Sequence, residues 1–296
     1  MKTLYIECNM GAAGDMLMAS LSELLPNPQE FVDVMNTLNL PGVAVSREKS
    51  VKCGITGSHI TVKVHGEEEE SHDHGHEHEH EHHHEHDHDH DHDHEHHHDH
   101  DHDHDHDHEH DHHDHDHHHD HGHGHHQHAG LGEIEAIIGA LPVSDRVKHD
   151  ALHVYGLIAE AEAKAHDRPV TEVHFHEVGA MDAVADVVGV CLLMEHLNPD
   201  RVIVSPVHVG SGHVHCAHGI LPVPAPATAH ILKGVPIYGG SIKGELCTPT
   251  GAALVKYFAD GFGAMPVMSV EAIGYGMGKK DFEAANCVRT YWGESF

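Results

Sequence analysis

Five side chains able to bind a metal ion fall within thirteen residues of the stretch VHFHEVGAMDAVAD, Val173 to Asp186: His174, His176, Glu177, Asp182 and Asp186. On an extended chain His174 and His176 share one face, and on a helix Asp182 and Asp186, four apart, share another. Two imidazoles would then meet two carboxylates. Imidazole suits zinc, copper, iron and nickel, whereas carboxylates suit harder ions and orient imidazoles from behind. The plainer alternative is an exposed strand end followed by two acids that favour the N-terminal half of a helix. The metal reading is the stronger one. The run from Ala180 to His196 is almost wholly apolar and predicts a buried helix, where unpaired carboxylates are costly.

A second candidate is His213-Val214-His215-Cys216-Ala217-His218, flanked by Gly212 and Gly219. His213, His215 and His218 with a neighbouring thiol suit a soft metal or a sulfur-bearing ligand, against the alternative of a flexible surface loop. His149 and His153, four apart, lack the intervening glutamate of a metalloprotease helix and are read as surface or core histidines.

Two glycine turns are candidates for a phosphate. Gly11-Ala12-Ala13-Gly14-Asp15 stands between a predicted strand at residues 3–8 and the apolar periodicity of Met16 to Leu25, an arrangement that lets backbone N–H groups approach an anion. It contains neither a GxGxxG nor a Walker lysine. A tight turn with Asp15 near a helix N-terminus is an equal alternative, and Glu7 and Asp15 would add carboxylates at the strand's end. In Thr248-Pro249-Thr250-Gly251, Thr250 is expected to cap a helix over residues 251–258. Gly274 to Lys280 reads as a glycine turn carrying two ammonium groups that could hold an anion.

The elements that must position these groups follow from periodicity and punctuation. Helices are expected over residues 28–38, 134–141, 144–165 with Ser144 as N-cap, 180–196 and 227–232. Strands are expected over 43–51, 55–64, 202–209 with a break at Pro206, around Ile237, and over 287–292. Pro222 to Pro226 reads as a stiff extended segment. The fold class is α/β: a mixed sheet flanked by helices, interrupted by a long disordered insertion rich in His, Asp and Glu. Residues 1–64 and 129–296 would form one discontinuous domain; strand order and oligomeric state are not legible.

That insertion, residues 65–128, holds 34 of the 46 histidines and 24 of the 49 acidic residues, with no Lys or Arg. Such a composition cannot bury enough apolar area to offset the entropy of ordering. Its imidazoles, many of them uncharged near neutral pH, should bind several divalent ions at once. This predicts a metal reservoir, against the alternative of a solvated linker. Removing the tract changes the formal charge from −33 to −9. The remainder is only moderately acidic, which argues against nucleic acid or an anionic membrane as partner. With no apolar run of spanning length and no signal-peptide pattern, a cytoplasmic protein is expected. The six cysteines form no CxxC pair, so reduced thiols are the default.

Taken together, ECNMGAAGDM at 7–16, HFHEVGAMDAVAD at 174–186, HGILPVPAPAT at 218–228, ELCTPTGAAL at 245–254 and GYGMGKKDF at 274–282 resemble the nickel-insertion proteins of nickel-pincer cofactor biosynthesis, the LarC family. The resemblance covers nearly the whole chain outside the His tract, and an internal His-rich insertion of variable length is a family habit. It implies an enzyme, a nickel chelatase of the lyase class. Such an enzyme places Ni(II) into pyridinium-3,5-bisthiocarboxylic acid mononucleotide, forming one Ni–C and two Ni–S bonds, in a reaction dependent on CTP with a divalent cation. The product serves lactate racemase and related enzymes, so an apo-enzyme acceptor is an implied partner. Carried onto this chain, His174, His176, Glu177, Asp182 and Asp186 would hold the ion, and His213, His215 and His218 would pass it on. Gly11, Gly14, Asp15, Thr248, Thr250 and Gly251 would face the mononucleotide.

Two departures stand out. Glu7 precedes Cys8 where the family has aspartate, a change that keeps the charge. The chain also stops at Phe296, whereas complete members continue into a domain that binds the nucleotide. The expectation is an N-terminal part working with a separate C-terminal domain that carries the CTP chemistry. A non-enzymatic nickel store or metallochaperone and a metal-dependent hydrolase are the competing classes; the second lacks a nucleophile motif to support it.

Overall fold

A computed structural model describes residues 1–68, 130–173, 175, 180–216 and 219–296. The tract from 69 to 129 and the ligand candidates His174, His176, Glu177 and His218 lie outside the described residues.

In chain order the strands are β1 (Lys2–Glu7), β2 (Val43–Lys52), β3 (Ile55–Val64), β4 (Glu67–Glu68), β5 (Arg201–Val204), β6 (Val207–His208), β7 (Gly210–Ser211), β8 (His213–Cys216), β9 (Gly219–Pro222), β10 (Ile237–Tyr238), β11 (Gly244–Glu245), β12 (Gly261–Phe262), β13 (Met268–Met277) and β14 (Cys287–Ser295). The α-helices are α1 (Gly14–Ser22), α2 (Pro28–Thr37), α3 (Leu131–Ala140), α4 (Asp145–His166), α5 (Met181–Leu197), α6 (Pro226–Ile231) and α7 (Pro249–Phe258). The expected α/β class with a mixed sheet holds. Its main sheet has eight strands in the order β12-β5-β1-β14-β13-β3-β2, with β4 beside β3. β12, β5 and β1 run parallel, β14 is antiparallel to both β1 and β13, and β2 is antiparallel to β3.

Alternation along the strands divides the sheet's two faces. Leu4, Ile6, Val202, Val204, Ile60, Val62 and Val288 join the helices in one core, whereas Tyr5, Ile203 and Tyr291 are not part of it. The long helix α4 starts where its sequence says it should, with Ser144 Oγ accepting the Val147 N–H at 3.1 Å. Asn27 caps α2 in the same way.

Three expectations change. Residues 65–68 were assigned to the disordered tract, but His65 and Gly66 make a turn and β4 pairs back on β3. Gly274 to Met277, read as a turn, is the end of the ten-residue strand β13. Its glycines serve packing: a Cβ on Gly274 would lie 1.9 Å from the Ser20 carbonyl oxygen, and one on Gly276 1.8 Å from that of Met16. Helix α1 thus rests its backbone directly on the strand, which is why a glycine-rich segment belongs to the sheet. Finally, the cap of α7 is Thr248 and not Thr250, because Pro249 occupies the first helical position.

Replacing Gly276 by Ala should therefore destabilise the protein by about 3 kcal/mol or more, since backbone and not a side-chain tip must yield. Urea unfolding followed by circular dichroism would measure it, with the exposed Gly54→Ala expected to be milder.

Candidate metal site

The buried helix foreseen at Ala180 exists, and it packs on α1 with no side chain between them at Gly14. A Cβ there would fall 2.5 Å from Asp186 Oδ2. This contact brings Asp186 of α5 against Asp15, at the first turn of α1. Asp182 lies one turn before Asp186, its Oδ1 taking the N–H of Ala183 at 2.7 Å. Asp186 is half-buried as a residue, but its Oδ1 is fully enclosed and accepts no hydrogen bond.

The electrostatics follow from that crowding. Burial, then the charges of Asp15 and Asp182, push the Asp186 carboxyl well above the usual carboxylate range, only partly offset by the Asp15 N–H. Asp15 is also raised, chiefly by burial, against the opposing pull of His59 and of N–H groups that include Met16 at 2.8 Å. His59 Nδ1 lies 2.9 Å from the Met277 carbonyl, which can only accept, so that nitrogen carries the hydrogen. Sequence reasoning missed His59, because a single histidine in a strand carries no spacing signal. Tyr155, fully buried on α4, feels the same acids: burial and then Asp182 and Asp186 raise its hydroxyl.

Phe175 connects this corner to the HFHE motif. It is 0% exposed and meets the Tyr155 ring edge-on at 6.1 Å. The described neighbour of His174 and His176 is therefore anchored on the side chain that faces both acids. Among the described residues alone, no three His, Cys, Asp or Glu side chains gather closely enough to hold a metal ion.

The two glycine turns are brought together by the structure. Ala12 N–H donates to the Leu246 carbonyl at 3.1 Å, and Thr248 N–H to that of Ala12 at 3.0 Å. Each turn's glycine faces the other's backbone: a Cβ on Gly11 would lie 1.8 Å from Leu246 O, and one on Gly251 2.1 Å from Ala12 O. Thr248 Oγ1 takes the Gly251 N–H at 3.2 Å and sits 3.0 Å from Thr250 Oγ1. The N-termini of α1 and α7 thus adjoin, with Asp15 in the first turn of α1.

His213 and His215 lie exposed on β8, which pairs with β9 as a hairpin beside β11. His149 and His153 are exposed, as expected, their rings 4.0 Å apart. All six cysteines are free. Burial and the Glu7 charge push the Cys8 thiol up to about 12, and burial, then Cys8 and Glu245, raise that of Cys247.

The model of the nickel insertion protein family matches residues 4–295. The chain belongs to that family. A pyridinium-3,5-bisthiocarboxylic acid mononucleotide nickel insertion protein of Clostridium kluyveri is 39% identical over 99% of this chain and 62% of its own length. Bearers of the same name in Clostridium acetobutylicum and Staphylococcus epidermidis are 40% and 33% identical, again over 99% of this chain, and over 64% and 60% of their own lengths. The chain therefore spans about three-fifths of these nickel insertion proteins. No solved structure matches it. Among the described residues, no helix is long and apolar enough to cross a membrane.

In this member of the family the acids carry a pH signature. Because the folded carboxyl of Asp186 titrates above its unfolded value, its contribution is most favourable at low pH and is lost as pH rises through the raised pKa. Asp186→Asn should raise the melting temperature of the metal-free protein at pH 8 by a few degrees, about 1–2 kcal/mol, and change it little at pH 4. Thermal unfolding across that range checks the sign.

Proposed function

We propose that this chain takes nickel(II) as a substrate at the corner of Asp15, Asp182 and Asp186 and delivers it to pyridinium-3,5-bisthiocarboxylic acid mononucleotide, as the names of its relatives describe. The observation that carries this is Asp186 Oδ1: an enclosed carboxylate oxygen with no donor, beside two further acids, in a nickel insertion family member. Such a group is costly unless a proton or a cation neutralises it, and a nickel ion would displace the proton. The remaining donors would be His174, His176 and Glu177, sequence neighbours of the anchored Phe175. Mixed imidazole and carboxylate ligation without thiolate suits a site that must let its metal go, since thiocarboxylate sulfurs compete well for nickel.

On this reading His213, His215 and His218 pass the ion on, and residues 69–128 form a histidine reservoir inserted in one α/β domain of residues 1–68 and 129–296. Gly11, Gly14, Thr248, Thr250 and Gly251 seat the mononucleotide where the N-termini of α1 and α7 adjoin, the dipole ends favouring its phosphate. Nickel then enters one Ni–C and two Ni–S bonds, the lyase-class chelatase reaction. The reaction depends on CTP with its divalent cation, and an apo-enzyme receives the product in the cytoplasm.

A variant lacking residues 69–128 isolates the folded site. It should bind one tight nickel equivalent by calorimetry, and Asp182→Ala with Asp186→Ala should weaken that equivalent at least about 100-fold, as loss of two charged ligands requires. An unchanged equivalent in the double variant would move the ion to the His213 hairpin.

A further inference from the structure

The acidic corner makes no use of His149 and His153, yet the structure holds both rings in a defined way. The two residues are exposed and one turn apart on α4, so their side chains leave the helix on one face. Their ring centres are 4.0 Å apart. Each ring is held at the same atom, Nδ1. His153 Nδ1 lies 2.8 Å from the His149 carbonyl, which can only accept, so that nitrogen carries the hydrogen. His149 Nδ1 lies 3.4 Å from Asp150 Oδ1, and a carboxylate likewise accepts. A neutral imidazole with its hydrogen on Nδ1 has its lone pair on Nε2. Both rings are thus set in the tautomer that offers Nε2 as a ligand.

The acid behind His149 is itself fixed. Asp150 is 8% exposed, a place where a carboxylate needs partners. Its Oδ1 accepts the Tyr257 hydroxyl of α7 at 2.7 Å, and its Oδ2 lies 3.9 Å from Arg146 Nε, one turn earlier on α4. Burial, then that hydrogen bond, raise the Tyr257 hydroxyl, so it remains a donor to the acid. The Tyr257 ring also lies beside His153, with centres 6.0 Å and planes 29° apart. One tyrosine therefore braces the carboxylate behind the first histidine and the ring of the second. A carboxylate or a backbone carbonyl on the far ring nitrogen is the outer support that metal-bound histidines almost always have, and this pair has one of each.

We infer that His149 and His153 form a second site for a late first-row divalent ion, nickel(II) in this family, bound through both Nε2 atoms with Asp150 and the His149 carbonyl as outer partners. Two histidines one turn apart on a helix are a known chelating arrangement. With only two protein ligands the site is open, and water completes the coordination, so the ion stays exchangeable. The site shares no residue with the corner of Asp15, Asp182 and Asp186 and does not depend on nickel binding there.

Thermal unfolding of the full chain in saturating free nickel(II) tests the pair. An ion that binds only the folded pair raises the melting temperature, and every other nickel site is common to all the variants compared. His149→Ala and His153→Ala should each lose about 3 °C of the nickel-induced rise. The double variant should lose no more than either single one, because a chelate needs both nitrogens. Alanine favours a helix, so the melting temperatures without nickel should not fall, which separates loss of the ion from loss of folding. His166→Ala, at the far end of α4, should keep the whole rise. Asp150→Asn should need about tenfold more nickel for the same rise, and an unchanged requirement would remove the acid from the site. Magnesium, which takes oxygen ligands, should give no rise that depends on His149. A full rise in either single variant, losses that add in the double variant, or an equal His149-dependent rise with magnesium would each overturn the assignment.

Discussion

Two carboxyl groups from different helices are held together at half-buried positions, and much of the architecture serves to keep them there. Asp15 and Asp186 come from different helices, so their proximity depends on how closely α1 and α5 pack, and Gly14 removes the side chain that would separate them. The opposite side of α1 is fixed just as tightly by Gly274 and Gly276 of β13. A helix pinned on both flanks cannot slide to relieve the repulsion. Each unit of raised pKa corresponds to about 1.4 kcal/mol withheld from the ionised form.

The same packing decides which atoms compete for a soft metal. Thiolates would bind nickel strongly and give it up slowly, and the nearby loops contain Cys8 and Cys247. Both are buried, and burial holds them as thiols, Cys8 up to about 12. These two thiols are thereby kept uncharged close to the acids of α1 and α5.

The acids at 182 and 186 and the buried helix that carries them were legible from spacing, because four-residue periodicity within an apolar run has one physical meaning. The helices were legible for the same reason, and β1, β2, β3, β5 and β14 from alternation, whereas the central strand β13 was not. Glycine was not. At 274 and 276 it marks backbone contact within a strand, and at 11 and 251 it marks two loops laid against each other; the sequence alone cannot tell close packing from a turn. His59 and His208 were invisible because each acts alone, fixed by a carbonyl distant in sequence, Met277 for one and Asn9 for the other. What escaped was whatever depends on contacts between separate segments. The placement of Thr248 as cap was recoverable, since proline at the first helical position points to the residue before it.

The position of the corner follows from the sheet. β1 runs parallel to β5 on one side and antiparallel to β14 on the other, so the sheet changes direction at β1. In open α/β sheets, crevices form at the carboxyl ends of parallel strands where direction or order changes. β1 leaves its end through Cys8 and the loop to Asp15, and β5 leaves the adjacent end through Ser205, whose hydroxyl takes the Cys8 N–H at 2.9 Å, toward His208. Asp15 and His208 therefore follow two neighbouring parallel strands that end side by side and are tied there by one hydrogen bond.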